Sequence, residues 1–334
     1  MSFIRASLRA RSTLANVRRY STTPETKPSN LPYYLGGGGI VGLAAYLYLD
    51  SATKEGPKPK RVQEKSPLDP QNFVEFKLKK VEPFNHNTAK YIFELPNGDA
   101  SLLPVASCVV VKSAADAVNA ANDDKGKPVI RPYTPVSPAD HPGELVFLIK
   151  RYEGGEMSQH IHALKEGESL AIKGPINKFE YKANQFEEVG MIAGGSGITP
   201  MYQILEHALA SPENKTKFTL IFANVTPADI LLKAEFDALA KAHPDTLRVV
   251  YTLDKPEGTW DGETGFIGKE MVKKYVAPAS LGDKVKVFIC GPPGQVAAIA
   301  GKKEGYKQGA VGGVLKELGY TEDQVMIRAA VSVV

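Results

Sequence analysis

Residues Val189–Met201 have the sequence V-G-M-I-A-G-G-S-G-I-T-P-M. A short apolar run ends in two glycines and a helical pattern follows at once, which predicts a strand, a tight turn and a helix. Thr199 is predicted as the helix N-cap and Pro200 as the first helical residue, where no backbone N–H is needed. Such a turn can bind an anion, because free N–H groups and the helix dipole point at it.

The same turn has a second interpretation. The dinucleotide fingerprint G-x-G-x-x-G starts at Gly195, but Pro200 occupies the position of the third glycine, so the stretch does not fit that motif. A strand-to-helix turn without any ligand, in an ordinary α/β domain, explains the pattern equally well. The stretch alone therefore leaves a nucleotide site and a structural turn open.

The last third of the chain alternates apolar strands with helices, which predicts a doubly wound parallel sheet. Strands are expected at Val189–Ala193, Lys217–Ala223, Leu247–Leu253 and Lys284–Ile289, and helices near Ile230–Ala242 and Lys269–Tyr275. In such sheets the ligand lies at the carboxyl ends of the strands. Three stretches gather at that edge and favour a nucleotide site, namely Gly194–Thr199, Asp254 and Cys290–Gly294.

The middle third predicts a small antiparallel β-barrel, because short strands follow one another without a long helix between them. The expected strands are Phe73–Val81, Lys90–Leu95, Cys108–Lys112, Val129–Tyr133, Leu145–Arg151 and Ser169–Lys173. A short helix at Ser158–Leu164 follows two glycines and marks a second candidate phosphate site. The stretch Ala114–Lys127 is interpreted as a surface insertion.

The N-terminal residues predict a targeting sequence and a membrane anchor. Residues 1–30 are interpreted as a mitochondrial presequence, because residues 1–23 hold five arginines and no acid; a disordered basic tail is the alternative. The nineteen uncharged residues 31–49 predict one transmembrane helix, which the glycines at Gly36–Gly39 weaken. Residues 50–70 are rich in proline and lysine and predict a linker.

Charge and composition exclude several classes of protein. The formal charge is +4, and residues 1–30 contribute six basic and one acidic residue, so the other residues together carry −1. A nucleic-acid-binding surface is therefore not indicated. Two cysteines provide no disulfide framework, and the histidine spacing, including His160-x-His162, does not predict a metal site.

Three motifs in a fixed order carry a resemblance: R-P-Y-T at Arg131–Thr134, then G-G-S-G-I-T-P, then C-G-P-P. In this order they resemble the ferredoxin reductase-like flavoenzymes, and within them the NADH-cytochrome b5 reductase family in its mitochondrial, fungal form. The similarity runs from about Phe73 to Val325. It implies an FAD-binding β-barrel at residues 71–183 and an NADH-binding α/β domain at residues 184–334.

The resemblance places the FAD first on the R-P-Y-T motif. Arg131 would pair with the pyrophosphate, since a guanidinium fork suits phosphate. Tyr133 would lie against the flavin, and Thr134 would form a hydrogen bond near its N5, with Pro132 between Arg131 and Tyr133. Without the other motifs, a barrel strand followed by a turn at Pro135 would be the preferred interpretation.

Other FAD contacts are implied outside that motif. Ile149 and Lys150 match a strand end near the adenine half, although Lys150 also fits a solvated charge. Thr199 matches a threonine that reaches the FAD from the second domain. Three residues of the loop that opens the predicted short helix would provide backbone amides for the pyrophosphate: Gly155, Met157 and Ser158.

The resemblance also implies an NADH site. The residues expected to line the nicotinamide and pyrophosphate path are Gly194, Gly195, Ser196 and Gly197 on one side and Cys290, Gly291 and Pro292 on the other. Cys290 would shape the geometry of hydride transfer. It is not expected to be a nucleophile, because no histidine lies near it in the sequence. Tyr133, Thr134 and Cys290 are thus the candidate catalytic residues.

Two further residues concern the adenosine half of NADH. Asp254 would accept hydrogen bonds from the ribose and repel a 2′-phosphate, which selects NADH over NADPH. A turn-capping aspartate is the alternative, since Asp254-Lys255-Pro256 also predicts a turn. Phe266 matches a residue beside the NADH, and a core aromatic is the alternative.

The implied reaction passes a hydride from NADH to FAD and then single electrons to cytochrome b5 or a similar small acidic haem protein. The implied protein is a monomer in the mitochondrial outer membrane, with a processed soluble form in the intermembrane space as a further option. A reductase that serves an iron–sulfur protein or a quinone is an alternative. A nucleotide-binding scaffold without turnover is another. Lysines that could attract the acceptor are Lys58, Lys60, Lys65, Lys79, Lys173 and Lys178, each of which also fits a solvated surface charge.

The carboxyl terminus departs from the family pattern. The family usually ends with an aromatic residue after the last strand, whereas this chain ends M-I-R-A-A-V-S-V-V at Met326–Val334. The resemblance therefore leaves open how this tail affects access to the cofactor. The insertion at Ala114–Lys127 is a second departure from the tighter loop expected there.

Overall fold

The computed structural model describes residues 63–302 and 308–328. The predicted presequence, the predicted transmembrane helix, residues 50–62 of the predicted linker and residues 329–334 of the tail lie outside the described residues. None of the helices among the described residues has the length and apolar character that a membrane span requires.

The first sheet is antiparallel and has six strands in the order β4-β3-β6-β1-β2-β5. A backbone hydrogen bond of 2.8 Å from Val136 N–H to the Val146 oxygen joins the two edges, which curls the sheet toward the expected barrel. Side chains alternate between core and solvent along β1, with Phe76 and Leu78 inside, as its sequence predicts. The strands are β1 (Val74–Pro83), β2 (Thr88–Glu94), β3 (Ser107–Ser113), β4 (Arg131–Tyr133), β5 (Glu144–Lys150) and β6 (Ser169–Asn177), with helix α1 (Glu156–Ala163) between β5 and β6.

Two segments beside this sheet are anchored to it. Leu68, near the end of the predicted linker, is buried in the core of the antiparallel sheet. In the insertion Ala114–Lys127, the carbonyl oxygen of Asn119 lies 2.8 Å from His160 Nδ1 on α1. The insertion therefore packs through Ala114 and Ala121, which are buried, and contacts α1 through Asn119, while most of its other residues are exposed.

The second sheet is wholly parallel, in the order β10-β9-β8-β7-β11-β12, so the predicted doubly wound sheet is confirmed. Buried side chains on both faces explain its nearly continuous apolar strands. Its strands are β7 (Glu188–Gly194), β8 (Lys217–Asn224), β9 (Leu247–Leu253), β10 (Glu263–Thr264), β11 (Val285–Cys290) and β12 (Val325–Ile327). Its helices are α2 (Thr199–Ala210), α3 (Lys233–Ala242), α4 (Lys269–Tyr275), α5 (Pro293–Ala300) and α6 (Gly313–Glu317).

Three helix starts differ from the sequence prediction. Helix α1 begins at Glu156, two residues before the predicted Ser158, because the backbone is already helical directly after Gly155. Thr199 is not the N-cap of α2, because a 3-10 turn at Gly195–Ile198 runs directly into the helix and Ile198 already has helical angles. Helix α3 starts at Lys233 and not near Ile230. The reason is Leu232, which has a left-handed backbone with φ 54° and a buried side chain, so the right-handed helix cannot begin before the next residue.

The chain order makes β7 the point at which the parallel sheet reverses direction. From β7 the chain adds β8 and β9 on one side, and it later returns to add β11 on the other side. A crevice forms outside the carboxyl ends of strands at such a point. Ala106 and Leu148 of the antiparallel domain belong to the same buried cluster as residues of α2 and β11, so the two domains pack together beside that crevice.

Candidate active site

The site is organised around the contact between the glycine turn and the end of β11. A Cβ atom on Gly197 would lie 2.3 Å from the carbonyl oxygen of Cys290 and 2.7 Å from the nitrogen of Gly291. A Cβ atom on Gly291 would in turn lie 3.1 Å from the nitrogen of Gly194. Because backbone atoms of the two segments meet directly, the turn and the C-G-P-P segment form one wall at the crevice.

A narrow cleft lies between this wall and the antiparallel sheet. It brings together residues that the sequence predicts for both cofactors, from the R-P-Y-T motif, from the end of β5 and from the glycine turn. Tyr152 crosses the cleft, because its hydroxyl lies 2.7 Å from the Ser196 hydroxyl in the other domain. The lining residues are Pro132, Tyr133, Thr134, Leu148, Ile149, Lys150, Tyr152, Ser196, Thr199, Pro200 and Cys290.

Tyr133 lines this cleft and carries a polar atom that is unpaired among the described residues. Its ring packs edge-on against Phe147, with the ring centroids 6.3 Å apart. Its hydroxyl is buried and has no hydrogen-bond partner among the described residues. Burial raises the pKa of Tyr133, so the hydroxyl keeps its proton at neutral pH. A buried hydroxyl without a partner is costly, which indicates a site built for a polar ligand group.

A larger cavity of about 510 Å³ continues from the cleft across the carboxyl ends of the parallel strands. Lys150 and Tyr152 line both spaces. The other lining residues are Gly194, Gly195, Ala223, Asn224, Val225, Asp254, Phe266, Ile267, Pro292, Gly294, Gln295 and Ala298. The volume lies within the range of small-molecule and cofactor pockets.

Two amide side chains in this cavity have polar atoms without partners. Asn224, at the end of β8, is only 5% exposed, and neither its Oδ1 nor its Nδ2 has a hydrogen-bond partner among the described residues. Gln295 Nε2 is in the same situation. An amide that can donate and accept at once matches a hydroxyl or a carboxamide better than a phosphate, which only accepts.

The predicted adenosine contacts lie at the rim of the cavity. Asp254 follows β9 directly, and its backbone N–H donates a 3.0 Å hydrogen bond to the backbone carbonyl oxygen of Asn224. Partial burial raises the pKa of the Asp254 carboxyl, and Lys255 opposes that shift. Phe266 is 85% exposed, so it is not a core aromatic. An aromatic ring held in solvent beside a cavity is available to stack on a planar ligand.

Lys150 is not a solvated strand-end charge. Its Nζ donates a 2.9 Å hydrogen bond to Asp229 Oδ1, and both side chains are largely buried. Burial acts to raise the pKa of Asp229, but hydrogen bonds from Lys150 and Thr226 outweigh it, so the pKa lies below its ordinary value. This ion pair joins the end of β5 to the loop after β8 and holds Lys150 at the junction of the two spaces.

Several predicted FAD residues do not line either space. Met157 is buried in the core of the antiparallel sheet, so only its backbone faces the loop before α1. The Ser158 hydroxyl donates to the Gly155 oxygen at 2.8 Å and accepts from Tyr152 N–H at 3.1 Å. This hydroxyl therefore fixes the loop. Arg131 donates to the Ile130 oxygen at 3.1 Å and does not line the cleft.

The histidine pair near α1 has structural partners. His160 bonds to the Asn119 oxygen, and His162 Nε2 lies 2.9 Å from the Ile149 oxygen. Within residues 63–302 and 308–328, no three His, Cys, Asp or Glu side chains are grouped so that they could hold a metal ion.

Comparison with known proteins defines the class first. Residues 75–181 match the oxidoreductase FAD-binding domain, and residues 191–300 match the oxidoreductase NAD-binding domain. The two matches fall on the antiparallel and the parallel sheet. The chain is therefore a two-domain oxidoreductase that binds FAD and NAD.

Relatives then define the family. The chain is 45% identical over 339 residues to NADH-cytochrome b5 reductase 2 of Mycosarcoma maydis, an alignment that covers 96% of this chain and 95% of that protein. It is 47% identical over 255 residues to the Yarrowia lipolytica protein of the same name, covering 76% and 84%. The cytochrome b5 reductase domain of Ulva prolifera nitrate reductase superposes with a TM-score of 0.67 at 26% identity, covering 79% of this chain and all of that domain. The chain belongs to the NADH-cytochrome b5 reductase family.

The wall between the glycine turn and Cys290 leads to a stability prediction. Gly197→Ala should lower the free energy of unfolding by about 1–3 kcal/mol, because the new methyl group meets backbone atoms that cannot move aside. Gly294→Ala is the matched control, since a Cβ there meets nothing within 4 Å. The control should leave stability unchanged or raise it by up to about 1 kcal/mol, because alanine favours helix α5. Urea unfolding of both variants measures the difference, and equal stabilities would contradict the close contact.

Proposed function

We propose that the protein is an NADH-dependent flavoprotein reductase, which passes a hydride from NADH to FAD and then single electrons to cytochrome b5 or a similar small acidic haem protein. The observation that supports this proposal is that the cleft and the larger cavity form one continuous space between the two sheets. Lys150 and Tyr152 line both the cleft and the cavity, at the place where the two join. A flavin in the cleft and a nicotinamide in the adjoining cavity would meet there. Membership in the NADH-cytochrome b5 reductase family supports the same reaction and the same acceptor.

The residues at the cleft fit an FAD. The unpaired Tyr133 hydroxyl and the neighbouring Thr134 provide polar groups for the flavin, and Thr199 faces them from the parallel domain. Ile149 and Lys150 would contact the adenine half, and Lys150 already has a fixed position through Asp229. The pyrophosphate would be held by Arg131, beside Pro132, and by the backbone of Gly155, Met157 and Ser158.

The larger cavity fits NADH. The nicotinamide and pyrophosphate of NADH would lie along the wall described above. One side of this wall is formed by Gly194, Gly195, Ser196 and Gly197, and the other by Cys290, Gly291 and Pro292. Asp254 and Phe266 at the rim would bind the adenosine half. Asn224 lies between these two groups, at the end of β8, and its unpaired amide would bind a ribose hydroxyl.

The flavin supplies the conversion between a hydride and single electrons, and the protein supplies binding and orientation. Cys290 is buried at the end of β11, in register with Ala193 before the glycine turn. Its carbonyl supports the turn, and its side chain lines the cleft opposite Tyr133 and Thr134. These three residues would therefore fix the distance between the two rings, and no side-chain acid or base is needed for the hydride step.

The proposed reaction is tested on the purified protein. Bound FAD should give visible absorption that NADH bleaches under anaerobic conditions, and cytochrome b5 should then be reduced at a rate that saturates. A ferredoxin and a soluble quinone are the control acceptors. Lack of flavin absorption would exclude every reductase interpretation. If a control acceptor is reduced faster than cytochrome b5, that acceptor and not cytochrome b5 is the better candidate for the partner.

Asp254 should decide between NADH and NADPH. The wild-type protein should prefer NADH, because the carboxylate repels a 2′-phosphate. Asp254→Asn removes the charge and keeps the size, so the ratio of kcat/KM for NADH over that for NADPH should fall at least about ten-fold, a change of about 1.4 kcal/mol. Asp261→Asn, a second exposed aspartate that does not line the cavity, is the control. An unchanged ratio in Asp254→Asn would assign the discrimination to another residue.

We further propose that residues 31–49 anchor the protein in the mitochondrial outer membrane as a monomer. The nineteen uncharged residues and the arginine-rich residues before them support this proposal. A chain that begins at Gln63 should lose association with isolated mitochondria and retain reductase activity. The full chain should resist carbonate extraction, and its release by carbonate would contradict the anchor.

A further inference from the structure

Arg328, directly after β12, ties the two domains together. Its backbone N–H donates a 2.7 Å hydrogen bond to the Ile289 oxygen on β11. Its side chain is only 3% exposed and reaches into the antiparallel domain, where the guanidinium donates to the carbonyl oxygens of Ala106 and Ser107, the latter at 3.2 Å. One side chain thus bridges the last strand of the parallel sheet and the start of β3.

Each of the two strands that Arg328 touches leads to a residue that lines the cleft. Ile289 is followed by Cys290, which lines the cleft. Ser107 begins β3, and two residues later Val109 pairs with Tyr133, which lines the cleft from the other domain. The guanidinium therefore lies at the start of β3 and close to Cys290, one strand away from Tyr133, although Arg328 does not itself line the cleft.

No carboxylate of residues 63–302 and 308–328 is paired with Arg328. The titratable groups that face it are the thiols of Cys108 on β3 and Cys290 on β11. Burial lowers the pKa of Arg328, but a guanidinium starts so far above neutrality that it keeps its proton.

A buried charge without a counter-ion acts over a longer distance than a surface charge, because the protein interior screens it weakly. We propose that Arg328 raises the reduction potential of the flavin held in the cleft. This inference rests on the proposed function. A hydride from NADH carries two electrons and brings one negative charge to the flavin, while NADH becomes NAD⁺. A fixed positive charge beside the cleft stabilises that added charge.

The test uses the full holoprotein and measures the midpoint potential of the bound FAD against a reference dye. Arg328→Gln removes the charge and keeps a hydrogen-bond donor, and it should lower the equilibrium constant for flavin reduction about ten-fold. For a two-electron couple this is a shift of about 30 mV to more negative potential. The potentials of the variants are compared at about pH 6, where a buried lysine still holds its proton. Arg328→Lys then keeps the charge and should stay within about three-fold of the wild type.

Arg248→Gln is the matched control, because it removes an arginine charge from the exposed side chain that lies over the Tyr275 ring. It should not change the potential. A wild-type potential in an Arg328→Gln variant that binds FAD and unfolds cooperatively would overturn the inference. Equal shifts in Arg328→Gln and Arg328→Lys would also overturn it, because a purely structural role predicts that result.

Arg328→Lys also provides a second readout if Arg328→Gln does not fold. A buried lysine loses its proton at a lower pH than a free one. Between about pH 6 and about pH 10, the potential of Arg328→Lys should therefore fall more steeply than that of the wild type, whose arginine stays charged. Parallel pH profiles would overturn the inference. Failure of the proposed function is distinguishable, since the unaltered protein would then bind no FAD or would not be reduced by NADH.

Discussion

The contact between the Gly195–Ile198 turn and the carbonyl of Cys290 is the constraint on which the site depends. Gly197 has no room for a side chain there, so the end of β7 and the end of β11 are held together through backbone atoms. Helix α2 starts immediately after the turn and packs into the core of the parallel sheet. The buried core of the parallel domain thereby sets the position of the wall, so a ligand bound against the wall meets a rigid surface.

Polar and apolar contacts then position the antiparallel domain against this wall. Tyr152 reaches Ser196, Lys150 reaches Asp229, and Arg328 reaches the carbonyls before β3. Leu148 adds an apolar contact, because it is buried in the same cluster as Ile198. These contacts surround the cleft, so cofactor binding and domain packing use the same residues. Changes at Lys150 or Tyr152 should consequently affect both.

Much of the fold followed from the sequence because local patterns and tertiary structure agree. The apolar strands predicted the parallel sheet, and the alternation in β1 predicted a half-buried strand. The start of α2 was predicted wrongly, since a capping preference at Thr199 could not reveal that the preceding turn is itself helical. The start of α3 depends on the left-handed backbone of Leu232, for which the sequence holds no local signal.

The site was predicted less completely than the fold. The motif residues at the cleft were identified, but Tyr152, Asn224, Gln295 and the partner of Lys150 were not. Asn224 could have been found, because it follows an apolar strand at the edge where ligands bind. The pairs Lys150–Asp229 and Tyr152–Ser196 join residues 79 and 44 positions apart, and only the packing of two domains brings them together.

A crystal structure of the protein with FAD and NAD⁺ tests whether one continuous space between the domains holds both cofactors. NAD⁺ should lie in the cavity beyond Lys150 and Tyr152, with its adenosine ribose within hydrogen-bond distance of Asp254. The Asn224 amide should be bonded to the nucleotide. A dinucleotide bound elsewhere, with the Asn224 amide still unpaired, would contradict this prediction.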